Sequence, residues 1–339
     1  MRILVVGAGG VGGFFGAKLA AAGRDVTYLV RPARAATLAA DGLRIRPFRA
    51  DEFVVDVKTV TAEQLAAAGP AAGSGAASIG APAEEASGAS ATTAAGAGAG
   101  FDLVLLSVKA YTLDQALDDL APAIRPNTLI LPLLNGIRHI DVLRERFGAE
   151  HVIGGLCRIS VQLDDDGAIR QVGPGAAMAY GEFDGSLSER MHEVDASLAG
   201  ADFSTTLSTR VEHDLWEKWM MLASGGALTT LLRAPIGEIV AVPGGAHAAE
   251  SILGEAFAVA TAAGFAPSEG ARERLTGILT EPGSLFATSM YRDLTQGRAV
   301  EAEQIVGDLA RRGRASGVDV TWLELAYTGL CVYQNSLGA

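Results

Sequence analysis

The chain has 339 residues, with 27 Lys and Arg against 39 Asp and Glu for a net charge of −12, and 49% of its side chains are hydrophobic. This length predicts two domains rather than one, each large enough to bury its own core. The negative balance argues against nucleic acid as a partner, and no apolar run approaches the roughly 18 residues of a membrane span, so neither nucleic acid nor membrane is expected to bind.

Cys157 and Cys331 lie far apart in the chain, and neither has a histidine at metal-ligand spacing. No disulfide framework and no metal site are expected, and a reducing, cytoplasmic setting suits the chain best.

Arg2 to Val6 (RILVV) is a short β-branched run suited to a strand buried on both faces, and glycines interrupt it too early for a secretion signal. The run leads into GAGGVGG and then into FFGAKLAAAG, which has helical composition. Gly23 is placed to end that helix in the left-handed conformation, and residues 25–30 (DVTYLV) supply a second strand. Further strands are expected at residues 53–57, 103–107, 128–132 and 203–207. Strands alternating with helical stretches imply a parallel sheet with right-handed crossovers. Residues 66–100 collapse to Ala, Gly, Ser, Thr and Pro with few charges, so they are expected to form a flexible insertion with an optional helical start.

Beyond residue 207 the pattern turns helical. Ser208 or Thr209 is expected to cap a long helix reaching Leu232, with Glu212 completing a capping box. Pro235, Pro243, Pro267 and Pro282 should divide the rest of the chain into separate helices. The expectation is an α/β fold: an N-terminal Rossmann-type parallel-sheet domain over residues 1–207, then a C-terminal all-helical domain over residues 208–339. Trp216 and Trp219, at helical spacing, are read as core. A homodimer is compatible with the sequence, which carries no sign of another protein partner.

Gly7, Ala8, Gly9, Gly10, Val11 and Gly12 match G-x-G-x-x-G, with a strand before and a helix after. In that setting Gly7 makes the tight turn, Gly9 lets a pyrophosphate approach the backbone, and Gly12 lets helix pack on strand. At the end of the second strand, where an acid would take the ribose 2′-hydroxyl of NAD, the chain reads Leu29-Val30-Arg31-Pro32. A guanidinium there suits a 2′-phosphate, so NADP(H) is the expected cofactor. Lys109 and Asn135 come after two later strands at their carboxyl ends, which marks them for contacts with cofactor and substrate.

These segments together are similar to the ketopantoate reductase (2-dehydropantoate 2-reductase) family: the glycine loop, Arg31, SVKAY around Lys109, LLNG around Asn135, LWEKW around Lys218, and SMYRDLTQGRAVEAE from Ser289. The resemblance spans nearly the whole chain apart from the insertion. It implies NADPH-dependent reduction of 2-dehydropantoate to pantoate, a step of pantothenate and coenzyme A biosynthesis. It also implies Lys218 as general acid, Glu301 as the acidic residue near cofactor and active site, and Ser289 as a substrate contact, with Asn135 and Lys218 also touching substrate. An ammonium against the ketone oxygen would stabilise the developing alkoxide and then protonate it. Where the family places asparagines one and two turns beyond its lysine, this chain has Leu222 and Gly226. The alternatives are therefore a related NADP-dependent hydroxy-acid dehydrogenase with a less polar substrate, or a non-catalytic NADP(H) sensor. The histidines, His139 among them, are expected at the surface or at helix caps.

Overall fold

The computed structural model describes residues 1–68 and 100–338, and two compact units emerge, each with its own core. The first comprises residues 1–108, 112–133 and 144–209, and the second residues 109–111, 134–143 and 210–339.

The first unit opens with β1 (Arg2–Val6), α1 (Gly10–Ala21), β2 (Asp25–Leu29) and α2 (Pro32–Asp41). Gly23 takes φ +78° just beyond α1, where a residue with a Cβ would be strained. Next come β3 (Leu43–Arg46), β4 (Phe53–Val55), β5 (Lys58–Val60) and α3 (Ala62–Ala67), then β6 (Leu103–Leu106), α4 (Leu113–Leu120), β7 (Leu129–Pro132) and α5 (Arg138–Phe147). The principal sheet is parallel throughout, in the order β5-β2-β1-β6-β7. Its central strands are continuous apolar runs because both faces are covered, and Ile3, Leu4, Val5, Leu103 and Leu105 are fully buried. Chain order reverses between β1 and β6, so the crevice at their carboxyl ends is the ligand position of an open α/β sheet.

The strand expected at residues 53–57 divides. Phe53 to Val55 pair antiparallel with β3 in a second sheet, and Lys58–Val60 supplies the outer strand of the parallel sheet beside β2. Asp56 and Val57 form the break, and the two short segments answer to different neighbours. Of the insertion expected at 66–100, residues 69–99 lie outside the described residues. Ala66 and Ala67 close α3, which starts with a reciprocal Thr61–Gln64 capping box.

β8 (Gly154–Arg158), β9 (Val161–Leu163), β10 (Ile169–Gln171), β11 (Ala177–Gly181), α6 (Glu189–Leu198) and β12 (Ser204–Leu207) complete this unit. They build two small sheets, β4-β3-β10-β9 and β12-β11-β8. All of these strands have only three to five residues, too short for an alternating pattern to stand out.

The second unit is helical: α7 (Val211–Leu232), α8 (Ile236–Val240), α9 (Gly245–Ala262), α10 (Glu269–Thr280), α11 (Ser289–Thr295), a π-helical turn (Glu303–Gly307), α12 (Asp308–Ala315) and α13 (Thr321–Ser336). Pro235, Pro243, Pro267 and Pro282 each fall between two of these helices. α7 is the spine. Trp216 stacks on Phe265 with ring centroids 5.3 Å apart, and the Trp219 indole donates to the Ile305 carbonyl at 2.9 Å. Both tryptophans are buried core.

α7 begins one or two residues later than a cap at Thr209 or Ser208 predicts. Ser208 still belongs to the sheet edge, where its N–H donates to the Tyr180 carbonyl at 2.8 Å. Arg210 takes the cap position without a side-chain cap bond, and Glu212 completes no box. The guanidinium instead ties Asp214 and Glu217 on the helix's first two turns, at 3.2 and 2.6 Å.

Candidate active site

Strand, glycine turn and helix place the loop at the crevice. Gly7 sits at φ +101°, and a Cβ there would collide with the Ser107 carbonyl oxygen at the end of β6. A Cβ on Gly12 would strike the Gly7 carbonyl. These two positions therefore demand glycine on independent grounds. Gly9 has open space above its Cα, caps α1 without a side chain, and precedes a first turn free of acids. The exposed amide end of α1 and the open face above Gly9, with Ala8, Gly10 and Val11 in the same loop, fit a dinucleotide pyrophosphate.

Arg31 leads into α2 from the end of β2 and is exposed, and its side chain makes no hydrogen bond or ion pair among the described residues. Its charge is free for an anionic ligand group. Arg34, three residues on, is half-buried, reaches toward the Gly167 carbonyl at 3.5 Å, and is pulled below its ordinary value by burial and by Arg44.

In the second unit, Lys109 is joined to two acids. Its ammonium lies 3.1 Å from Asp293 and 3.3 Å from Glu301. Glu301, 8% exposed, also accepts the Ala110 N–H at 3.1 Å. Burial pulls the Lys109 ammonium down, but Glu301 and Asp293 outweigh that and hold it above its ordinary value. Glu301 is thus brought to Lys109 and Ala110, not to Lys218. Asp293 is a partner of Lys109 that the sequence does not single out, although it lies inside the same segment that carries Ser289 and Glu301.

Gly136, at φ +78°, turns the chain after Asn135, and a Cβ there would collide with the Gln304 carbonyl in the π-helical turn. Trp219 is the next neighbour of that point. The Asn135 loop, the π-helical turn after Glu301 and the α7 residue beside Lys218 are therefore packed together. A π-helical turn is uncommon and frequently marks a functional position.

Lys218 is half-buried on α7 and makes no hydrogen bond or ion pair among the described residues. The neighbouring acids that would suit a surface lysine are taken: Asp214 by Arg210, and Glu217 by Arg210 and Arg274. Ser289 begins α11. Its predecessor Thr288 caps that helix, and the Thr288 hydroxyl meets Thr229 of α7 at 3.3 Å. Gly225 and Gly226 permit this approach: a Cβ on Gly225 would lie 3.2 Å from the Thr288 methyl, and one on Gly226 would collide with the Met290 Cε. The side chains of Asn135 and Ser289, like that of Lys218, are half-buried and unpaired among the described residues. His139 is not at the surface, as expected, but 1% exposed. Ile140 and Leu143 on the same turns of α5 are core residues, a helical-face signal that marks its burial.

A parallel sheet in this order, with a glycine loop at its reversal point, defines a dinucleotide-binding α/β protein. The chain belongs to the ketopantoate reductase family: the profile for ketopantoate reductase PanE/ApbA matches residues 3–185, and that for its C-terminal part matches residues 210–334. It is accordingly an oxidoreductase acting on a CH–OH group. The chain is 31% identical over 335 residues to the uncharacterized oxidoreductase YkpB of Bacillus subtilis, covering 98% of this chain and 99% of that one. It is 27% identical to a 2-dehydropantoate 2-reductase of Mesorhizobium japonicum, covering 93% and 92% of the two chains. Among solved structures it resembles a PanE/ApbA family ketopantoate reductase from Ralstonia eutropha (TM-score 0.81, 23% identity, all of both chains). It is comparably similar to D-mandelate dehydrogenase in a ternary structure with NADH and anilino(oxo)acetate (TM-score 0.80, 20% identity, all of both chains). No helix among the described residues is long and apolar enough to cross a membrane.

Proposed function

We propose that the protein reduces the ketone of a 2-oxo acid with NADPH, 2-dehydropantoate to pantoate being the leading reaction, in the route to pantothenate and coenzyme A. The observation that carries this reading is Lys218: a half-buried cation whose adjacent acids are committed to Arg210 and Arg274. A surface charge would share those acids, whereas a proton donor must keep its ammonium available.

In this reading the glycine loop from Gly7 to Gly12 would hold the pyrophosphate and Arg31 would pair with a ribose 2′-phosphate, which favours NADP(H) over NAD(H). When bound, the nicotinamide would supply the hydride. Lys218 places its ammonium on the carbonyl oxygen, stabilises the alkoxide as charge builds there, and gives it a proton. Asn135 and Ser289 donate hydrogen bonds to the substrate's polar groups. Glu301 and Asp293 hold Lys109 charged at the start of the segment after β6. Cys157 is buried and Cys331 half-buried, and neither takes part in a disulfide among the described residues.

A second reading, a less polar 2-oxo acid, is favoured by the α7 face beyond Lys218. Leu222 is apolar, Gly226 faces Met290, and the Thr229 hydroxyl is spent on the Gly225 carbonyl at 2.6 Å. A hydroxylated substrate finds few partners on that face. The resemblance to D-mandelate dehydrogenase, whose ternary structure holds anilino(oxo)acetate, points the same way.

The test is NADPH oxidation with 2-dehydropantoate and phenylglyoxylate side by side, with NADH as control, on the protein and on Lys218→Ala. Lys218→Ala is expected to lose about 10²- to 10⁴-fold in kcat while NADPH affinity holds. Retained turnover in that variant sinks the assignment of the acid, and the ratio of the two substrates decides between the readings.

A further inference from the structure

Asp308 is a buried acid, 3% exposed, that the chemistry above leaves unused. It begins α12 and is gripped by two guanidiniums of the same helix, Arg311 at 2.7 Å and Arg312 at 3.0 Å. One cation would neutralise it. The second reaches further: Arg312 gives its Nε to Asp308, while its Nη2 donates to Asp141 of α5 at 2.9 Å. Its guanidinium carbon also lies 5.7 Å from the centre of the Trp219 ring on α7. One side chain thus joins three elements.

Each of those elements carries a residue of the candidate site. Asp141 comes six residues after Asn135, Trp219 directly follows Lys218, and Asp308 comes seven residues after Glu301. A second tie runs beside the first. Arg138, three residues after Asn135, donates to Glu303 of the π-helical turn at 3.0 Å, and Glu303 also takes Arg311 and the Tyr327 hydroxyl. Gly307 makes room for this arrangement, since a Cβ there would collide with the Tyr327 ring and the Glu303 carboxylate. The acids Asp141, Glu303 and Asp308 and the guanidiniums of Arg138, Arg311 and Arg312 therefore form one charge-balanced network. At the start of the same loop Gly136 closes on the Gln304 carbonyl and on Trp219.

Stability does not account for such a network. A buried ion cluster is often no more stabilising than apolar side chains of the same volume. What it adds is direction: apolar contact is non-directional, whereas a planar guanidinium held between two carboxylates fixes angle as well as distance. We propose that Arg312 is a positioning residue: by bridging Asp308 to Asp141 while lying against Trp219, it sets where the Asn135 loop stands relative to the turn of α7 that bears Lys218. This rests on the reading of Asn135 and Lys218 as substrate contacts.

The test is chemical rescue of Arg312→Ala in the whole protein. Steady-state turnover of the 2-oxo acid is measured with and without millimolar guanidinium chloride, with sodium chloride at equal ionic strength as control. Displacing the loop should lower kcat/KM by about 10- to 100-fold. Guanidinium, which can bridge the two vacated carboxylates, should restore most of that loss, and sodium chloride should restore none. Undiminished kcat/KM, or a loss that both salts repair equally or neither repairs, overturns the proposal.

Should Arg312→Ala fail to fold, the pair Asp308→Leu with Arg312→Met decides, because it removes both buried charges at similar volume. It should melt close to the unaltered protein and still lose turnover, and full turnover overturns the proposal. Hydrogen–deuterium exchange of residues 134–141, read by mass spectrometry, needs no substrate. It should rise in Arg312→Ala and fall back with guanidinium, and exchange unchanged by the substitution also overturns the proposal. Normal turnover in Asn135→Ala would remove the substrate-contact reading instead, while the exchange pattern still reports on the bridge.

Discussion

Two lysines on the same helical unit show how neighbours assign roles. Lys109 is clasped by Glu301 and Asp293 and held charged, while Lys218 is left without an acid. Both stand out in the sequence as candidate positions, because SVKAY and LWEKW are local patterns, but the acids that hold Lys109 come from segments nearly two hundred residues away. Since the folded-state value of Lys109 is raised, its contribution to stability is present below the ordinary lysine range and lost as pH climbs through the raised value. Thermal melts of the protein and of Glu301→Gln should therefore differ by a constant amount up to about pH 10 and converge above it. A difference that grows with rising pH contradicts this account of the pair. Gly7 and Gly12 are fully legible by contrast, because a glycine turn between strand and helix is set within a dozen residues. His139 reads as a surface or capping residue because it stands at a helix start without an acid partner at diagnostic spacing, although Ile140 and Leu143 mark the buried face of α5.

At the scale of the element, α7 does most of the positioning. Its length and its end at Leu232 are set by composition, but its start is displaced because β12 keeps Ser208 in the sheet. The face beyond Lys218 is poor in polar groups, as its residues indicate. Invisible in the sequence is that the space at Gly226 is taken by Met290, a residue on α11. Met290 thus stands where a longer side chain on α7 would otherwise project. Gly226→Asn should cost about 1–3 kcal/mol through overpacking, visible as a lower melting temperature. Because the obstruction is the tip of one flexible side chain, adding Met290→Ala to the same chain should recover much of that loss, and the double variant should accept 2-dehydropantoate better relative to phenylglyoxylate. If Met290→Ala adds its own destabilisation with no recovery, the two side chains do not compete for the same space. The short strands β8 to β11 are hidden for a different reason: three to five residues give too few alternations to separate a strand from a loop.

For the molecule as a whole, the helical unit is made of more than the run of helices after residue 210. Residues 109–111 and 134–143 belong to it as well, so the chain leaves the sheet unit twice before α7 and returns each time. Those two excursions carry Lys109, the Ala110 N–H, Asn135, Gly136 and His139, that is, the partners of Glu301 and the neighbours of Gln304 and Trp219. A fragment of residues 210–339 alone would bring α7, Ser289 and Glu301 but leave Glu301, 8% exposed in the whole chain, without its cation and its amide donor. An uncompensated carboxylate of this kind costs about 1–3 kcal/mol, discounted from the fully buried case because the Lys109 side chain is 43% exposed. The fragment should therefore unfold at lower denaturant than the helical signal of the intact protein, and Glu301→Gln within the fragment should regain part of the difference. Equal midpoints for fragment and intact chain would mean that the two excursions add nothing to the unit's stability. Recovery by Glu301→Gln would show that a site residue in the last third of the sequence is held by a segment in the first third, which is why Glu301 is legible from its own motif and the setting around it is not.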